Sequence, residues 1–116
     1  MCLKLMETEV DRLCMFMRDV DQCDPRIEKK LVERIDADRF KIDGLDLSYP
    51  QRIEQKFGMV MKNHFHGKLD AVILCHGIVV EKGIIGCNVP DFDQTMLINV
   101  RSMTHIISLA MPFLKV

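Results

Sequence analysis

The chain has 116 residues, 48% of them hydrophobic, a size and composition for one compact domain or part of one and too aliphatic for disorder. Sixteen basic residues against 17 acidic ones leave a formal net charge of −1 with neither sign clustered, so nothing resembles a footprint for nucleic acid or an anionic membrane. Lys4, Glu7, Glu9, Asp11 and Arg12 break up any export signal, and the longest nearly apolar stretch, 106–114, is about nine residues against the roughly 20 needed to cross a bilayer.

Five cysteines (Cys2, Cys14, Cys23, Cys75, Cys87) are odd in number, widely spaced and free of any Cys-x-x-Cys pair. That usage suits free thiols in a reducing cytoplasm, and no metal site is expected.

In chain order, Leu13 to Met17 reads as a first strand. Asp24 is a candidate N-cap before Pro25, opening a helix to about Ile35 with Ile27, Leu31 and Ile35 on one face. A second strand is expected within Arg39 to Leu47. Ser48 with Gln51 forms a candidate capping box for a helix to about Phe65, burying Ile53, Phe57, Val60, Met61 and Phe65. Ala71 to Cys75 is apolar at every position, the habit of a strand covered on both faces of a parallel sheet. Asp91 with Gln94 repeats the box and opens the longest helix, whose apolar face carries Phe92, Met96, Val100, Met103, Ile107, Met111 and Leu114. Pro112 should kink or end its last turn. The nine methionines read as core filler. Alternating strands and helices argue for an α/β fold.

The strand "LDAVILCHGIV", a loop with Gly83 and Gly86, and then "FDQTMLINVRSMTHIISLAMPFLK" together resemble the short-chain dehydrogenase/reductase family. Leu74-Cys75-His76-Gly77 stands where that family has an Asn-Asn-Ala-Gly type motif, keeping only the glycine, and Asn99-Val100 keeps the family's Asn-Val pair. Upstream, Gly44 to Ser48 is similar to the family's third strand, with Asp46 and Leu47 at the positions near the adenine ring. "LCMFMRD" is similar to the second strand, with Arg18 where a basic residue meets the 2′-phosphate of NADP.

The resemblance spans nearly the whole chain, most clearly residues 38–116. It implies a partial Rossmann-like, doubly wound parallel sheet of about three strands with flanking helices, lacking the family's first strand and C-terminal half. Its implied ligands are NADP or NAD and a small-molecule substrate. The expected cofactor-facing residues are Arg18, Asp46, Leu47, Cys75, His76 and Gly77, with Gly77 letting the backbone pass close to a ribose, and Asn99 is the expected catalytic residue. The family's Gly-rich turn and Tyr-x-x-x-Lys pair are missing: the only tyrosine is Tyr49, with Ile53 four residues later. The expectation is a truncated oxidoreductase segment, inactive alone. The alternative is a non-catalytic interaction fragment that associates through the helix 92–114, pairing with full-length protein or forming a homo-oligomer.

Each site residue has a plainer reading. Asn99 can simply bond a neighbouring backbone carbonyl, and His76 can be a loop imidazole. Asp46 can be an ordinary strand-closing residue. Arg18 can be solvated, leaving the adjacent Asp19 to take a ribose 2′-hydroxyl and favour NAD. His64 and His66, two apart, would point about 200° away from each other on a helix, as solvated or helix-capping groups rather than a metal pair. Without a central strand, the sheet could close by pairing in the order 3-2-4, with marginal stability.

Overall fold

In a computed structural model the chain is a partial α/β fold. The structure describes residues 4, 10–22, 25, 26, 29, 38–83 and 85–114. Strand β1 is Leu13–Met17 and β2 is Phe40–Gly44; they run parallel with Leu13 opposite Phe40 and Met17 opposite Gly44. Two parallel strands need a crossover, and Pro25, Arg26 and Lys29 are helical within it. The rest of the helix expected over 25–35, with its cap Asp24, lies outside the described residues.

Helix α1, Pro50–Asn63, follows β2 and buries Ile53, Val60 and Met61. Phe57 and Phe65 are only partly buried, packed on the cluster of Met61, Leu69 and Ala110. The expected Ser48 box does not form: Tyr49 is the cap residue and makes no side-chain capping bond. The reason is local. Asp46 Oδ1 accepts from Ser48 N at 2.9 Å, which turns the chain before the helix begins.

Three contiguous segments make the second helical rod: α2 (Val89–Met96), a π-helical turn (Leu97–Arg101) and α3 (Ser102–Ala110). The rod starts two residues before the expected box, because Asn88 is its cap and accepts from Asp91 N at 2.9 Å, with Pro90 in the first turn. It stops at Ala110, and Pro112 falls in the turn that follows, as expected from a residue that cannot donate to the ladder. Glu54 of α1 meets His105 of α3 at 3.2 Å, and Phe57 lies 6.2 Å from Phe113 between ring centroids.

Two expectations fail. The run 71–75 is not a strand: the described sheet has two strands, and the only bridge beside this run joins Leu69 to Leu114. The run keeps the period of an extended chain, since burial alternates residue by residue from 71 to 80, but it has no ladder partner among the described residues. The 3-2-4 pairing therefore does not occur. Nor is the apolar face of the rod buried: Phe92, Met96, Val100, Ile107 and Met111 are exposed, while Ile98, Ser102 and Ala110 face inward. Ser102 meets His76 of segment 71–80, and Ala110 packs on Met61 and Leu69. Met59, Met96 and Met111 are likewise exposed, so they are not core filler; Met61 is.

Candidate functional site

In a wound parallel sheet, the carboxyl ends of the strands open onto the ligand crevice. Here β1 ends at Met17 and β2 at Gly44, so Arg18 and the loop Leu45–Tyr49 stand at that edge. A cavity of about 340 Å³ lies there, and both Arg18 and Asp46 line it. Arg52, Gln55, Lys56 and Met59 of α1 form its far wall. Steps of three and four residues place these four on one helix face, a periodicity visible in sequence but not singled out there.

The cavity is rich in cations. Hydrogen bonds from Ser48, its backbone amide first, hold the Asp46 carboxyl below its ordinary value of 3.8 against burial, with Arg18 and Arg52 adding to the effect. Asp46 is therefore a fixed carboxylate at neutral pH, one oxygen already engaged. Lys56 Nζ lies 2.7 Å from Asp43 Oδ1, and this hydrogen bond is the main reason that the Asp43 carboxyl also sits low. Arg52 stacks over the Tyr49 ring at 4.8 Å. Leu47 is half-buried in the turn and does not line the cavity.

A second constellation forms where segment 71–80 meets the rod. Asn99 projects from the π-helical turn, accepts from Ile78 N at 2.8 Å and donates from Nδ2 to Ile78 O at 2.8 Å. The side-chain amide thus replaces a strand partner for one residue of the unpaired segment. Ser102 N donates to Leu97 O, five residues back, and the Ser102 hydroxyl donates to Ile98 O at 2.6 Å. With that proton committed, His76 Nε2, 2.9 Å from Ser102 Oγ, must be the donor. His76 is a bonded anchor rather than a free loop imidazole.

Gly77 faces Asn99: a Cβ built on it would lie 3.5 Å from Asn99 Oδ1, an ordinary contact. Cys75 is exposed. Cys14, on β1, is half-buried, and burial pushes its thiol up to about 11. The two constellations are linked at one point, where Gln94 Nε2 donates to Ser48 Oγ at 3.5 Å.

His64 and His66 do not form a pair. His64 is buried as the C-cap residue of α1, its Nε2 3.1 Å from Leu13 O, and His66 sits in the following turn at φ 53° and is exposed.

No family model matches the chain. Solved structures do. A Bacillus thuringiensis structure described as a 3-oxoacyl-reductase superposes with a TM-score of 0.80 at 16% identity, over 97% of this chain and 45% of that one. A Brucella melitensis short-chain dehydrogenase/reductase, described as a glucose/ribitol dehydrogenase, gives 0.73 at 19% identity over 90% and 40%. ElxO with NADP bound gives 0.73 at 16% identity over 95% and 42%. The chain therefore has the fold of short-chain dehydrogenase/reductase structures, and spans less than half the length of those it matches.

Proposed function

We propose that residues 1–116 form part of the dinucleotide-binding domain of a cytoplasmic short-chain dehydrogenase/reductase, with NADP favoured over NAD. One observation carries the reading: a cation-rich cavity at the carboxyl ends of both parallel strands, lined by Arg18 and Asp46. The residues fit the adenosine end of such a cofactor. Asp46 offers a carboxylate to an adenine amino group, and Arg18 and Arg52 offer guanidinium forks to a 2′-phosphate. Cys75, His76 and Gly77 belong to the edge nearer the reacting end, where His76 and Asn99 fix the backbone that a ribose would meet.

The cofactor, when bound, gives or takes a hydride in exchange with an alcohol or carbonyl substrate. This chain by itself does not complete that transfer. Its only tyrosine is followed four residues on by Ile53, so no lysine stands ready to lower a phenol's pKa. Asn99 is the one family catalytic position represented, and here both ends of its amide hold Ile78. The test is calorimetric titration with adenosine 2′,5′-bisphosphate and with AMP. The bisphosphate should bind about tenfold more tightly, roughly 1.4 kcal/mol, and Arg18→Ala should erase the difference. Equal affinities for the unaltered chain would count against the reading.

A second reading is favoured by the exposed stripe Phe92, Met96, Val100, Ile107 and Met111. Nineteen residues of helix present about 30 Å of apolar surface on one side. Two copies related by a two-fold axis could cover it reciprocally, giving a non-catalytic homodimer. Sedimentation of the chain should then show a dimer that Val100→Glu returns to monomer, with helical content retained.

A further inference from the structure

A second cavity, about 420 Å³, opens at the opposite end of the sheet, where β1 and β2 begin and α1 stops. The parallel register sets Cys14 beside Lys41, so Arg12 and Lys41 approach the same opening from neighbouring strands. His66 comes from the turn after α1, Phe40 from the start of β2 and Asp38 from the turn before it, buried His64 lies behind them, and Asp11 Oδ2 stands 3.7 Å from Arg12 Nε.

The cations there exceed what the fold needs. A helix C-terminus attracts positive charge, and Arg12 already meets that demand, donating from Nη1 to His64 O at 3.1 Å and, more loosely, to Asp38 O at 3.5 Å. The side chains of Lys41 and His66 have no hydrogen-bond or ion-pair partner among the described residues. Asp43, the carboxylate two residues along from Lys41, is taken by Lys56. Arg12, Lys41 and His66 all line this one opening, so a ligand seated there would meet all three side chains.

We propose that this cavity is a binding site for a phosphate monoester of sugar size, with Lys41 and His66 holding the phosphate beside Arg12. The volume is within the range of small-molecule sites and too large for a bare phosphate. Phe40 supplies an apolar wall for the organic body. The site is separate from the Arg18–Asp46 cavity and does not depend on the dinucleotide reading.

The experiment is a heteronuclear NMR titration of the full chain at constant ionic strength, with ribose 5-phosphate, inorganic phosphate, ribose and sodium chloride in separate arms. Ribose 5-phosphate should give saturable shifts at Lys41, His64 and His66, at least fivefold tighter than inorganic phosphate, while ribose and chloride give none. Lys41→Gln should weaken binding about tenfold. His66→Gln should weaken it too, and Arg18→Ala should leave it unchanged. Unaltered Ile78 and Asn99 resonances in each variant would verify the fold. Shifts reproduced by chloride, inorganic phosphate binding as tightly as the sugar phosphate, or affinity indifferent to Lys41→Gln would each overturn the proposal.

Discussion

At the scale of single residues, the side chains that matter most to this structure replace missing backbone partners. Asn99 satisfies both the N–H and the carbonyl of Ile78, so Asn99→Ala orphans two backbone groups at once. Removing a partner from a part-buried group costs about 1 to 3 kcal/mol, and the urea midpoint should fall accordingly. Gly77→Ala, one residue away, should change stability by less than about 0.5 kcal/mol, since its Cβ would make only an ordinary contact. A large effect at Gly77 with none at Asn99 would contradict this account.

His64 gives a second residue-scale prediction, with a defined sign. Burial lowers its pKa from 6.5, and Arg12, Lys41 and His66 push the same way against the bond to Leu13 O. The unfolded chain therefore takes up a proton first as pH falls. The stability that this group contributes is present above pH 6.5 and is lost as pH drops from there toward the lower folded value. Asp43 and Asp46, held low by their hydrogen bonds, lose theirs only below about 3.8. Denaturation between pH 7 and 5 should show a decline that His64→Phe removes.

At the scale of elements, the caps decide where helices start. Asn88→Ala should destabilise by about 1 kcal/mol through the lost bond to Asp91 N, whereas the capping role expected of Ser48 does not exist, so Ser48→Ala should cost little. Thermal melts of the two variants distinguish the assignments. Both strands and both rods were legible in the sequence because apolar runs and proline signals are local, and the family pattern singled out Arg18 and Asp46, which line one cavity, and Asn99, which bonds Ile78. The unpaired state of 71–75 was not, since a wholly apolar run reports what a segment could bury and not whether neighbouring strands are there to cover it. The outward stripe from Phe92 to Met111 was misread for the same reason: periodicity defines a face without saying which way it points. The α1 wall of the Arg18–Asp46 cavity needed the fold, and the cavity at Lys41 needed the parallel register before Arg12 and Lys41 could be set side by side.

For the whole molecule, the deciding quantity is how little is buried. Seven apolar residues form the buried core among the described residues, and the radius of gyration is 16.1 Å against about 13 Å for a compact domain of this length. Every fully buried side-chain nitrogen or oxygen there has a partner, so what the fold is short of is apolar contact and not polar pairing. The exposed edge at 71–80 combines apolar side chains with unladdered backbone, the combination that templates pairing between chains. Ile73, 51% exposed, has little burial to lose. A charge placed there should repel an incoming strand without weakening the core. Ile73→Lys is therefore expected to suppress concentration-dependent light scattering on mild heating while shifting the melting temperature by no more than a few degrees. Scattering that persists unchanged in this variant would move the origin of association to the helical stripe, where Val100→Glu tests it independently.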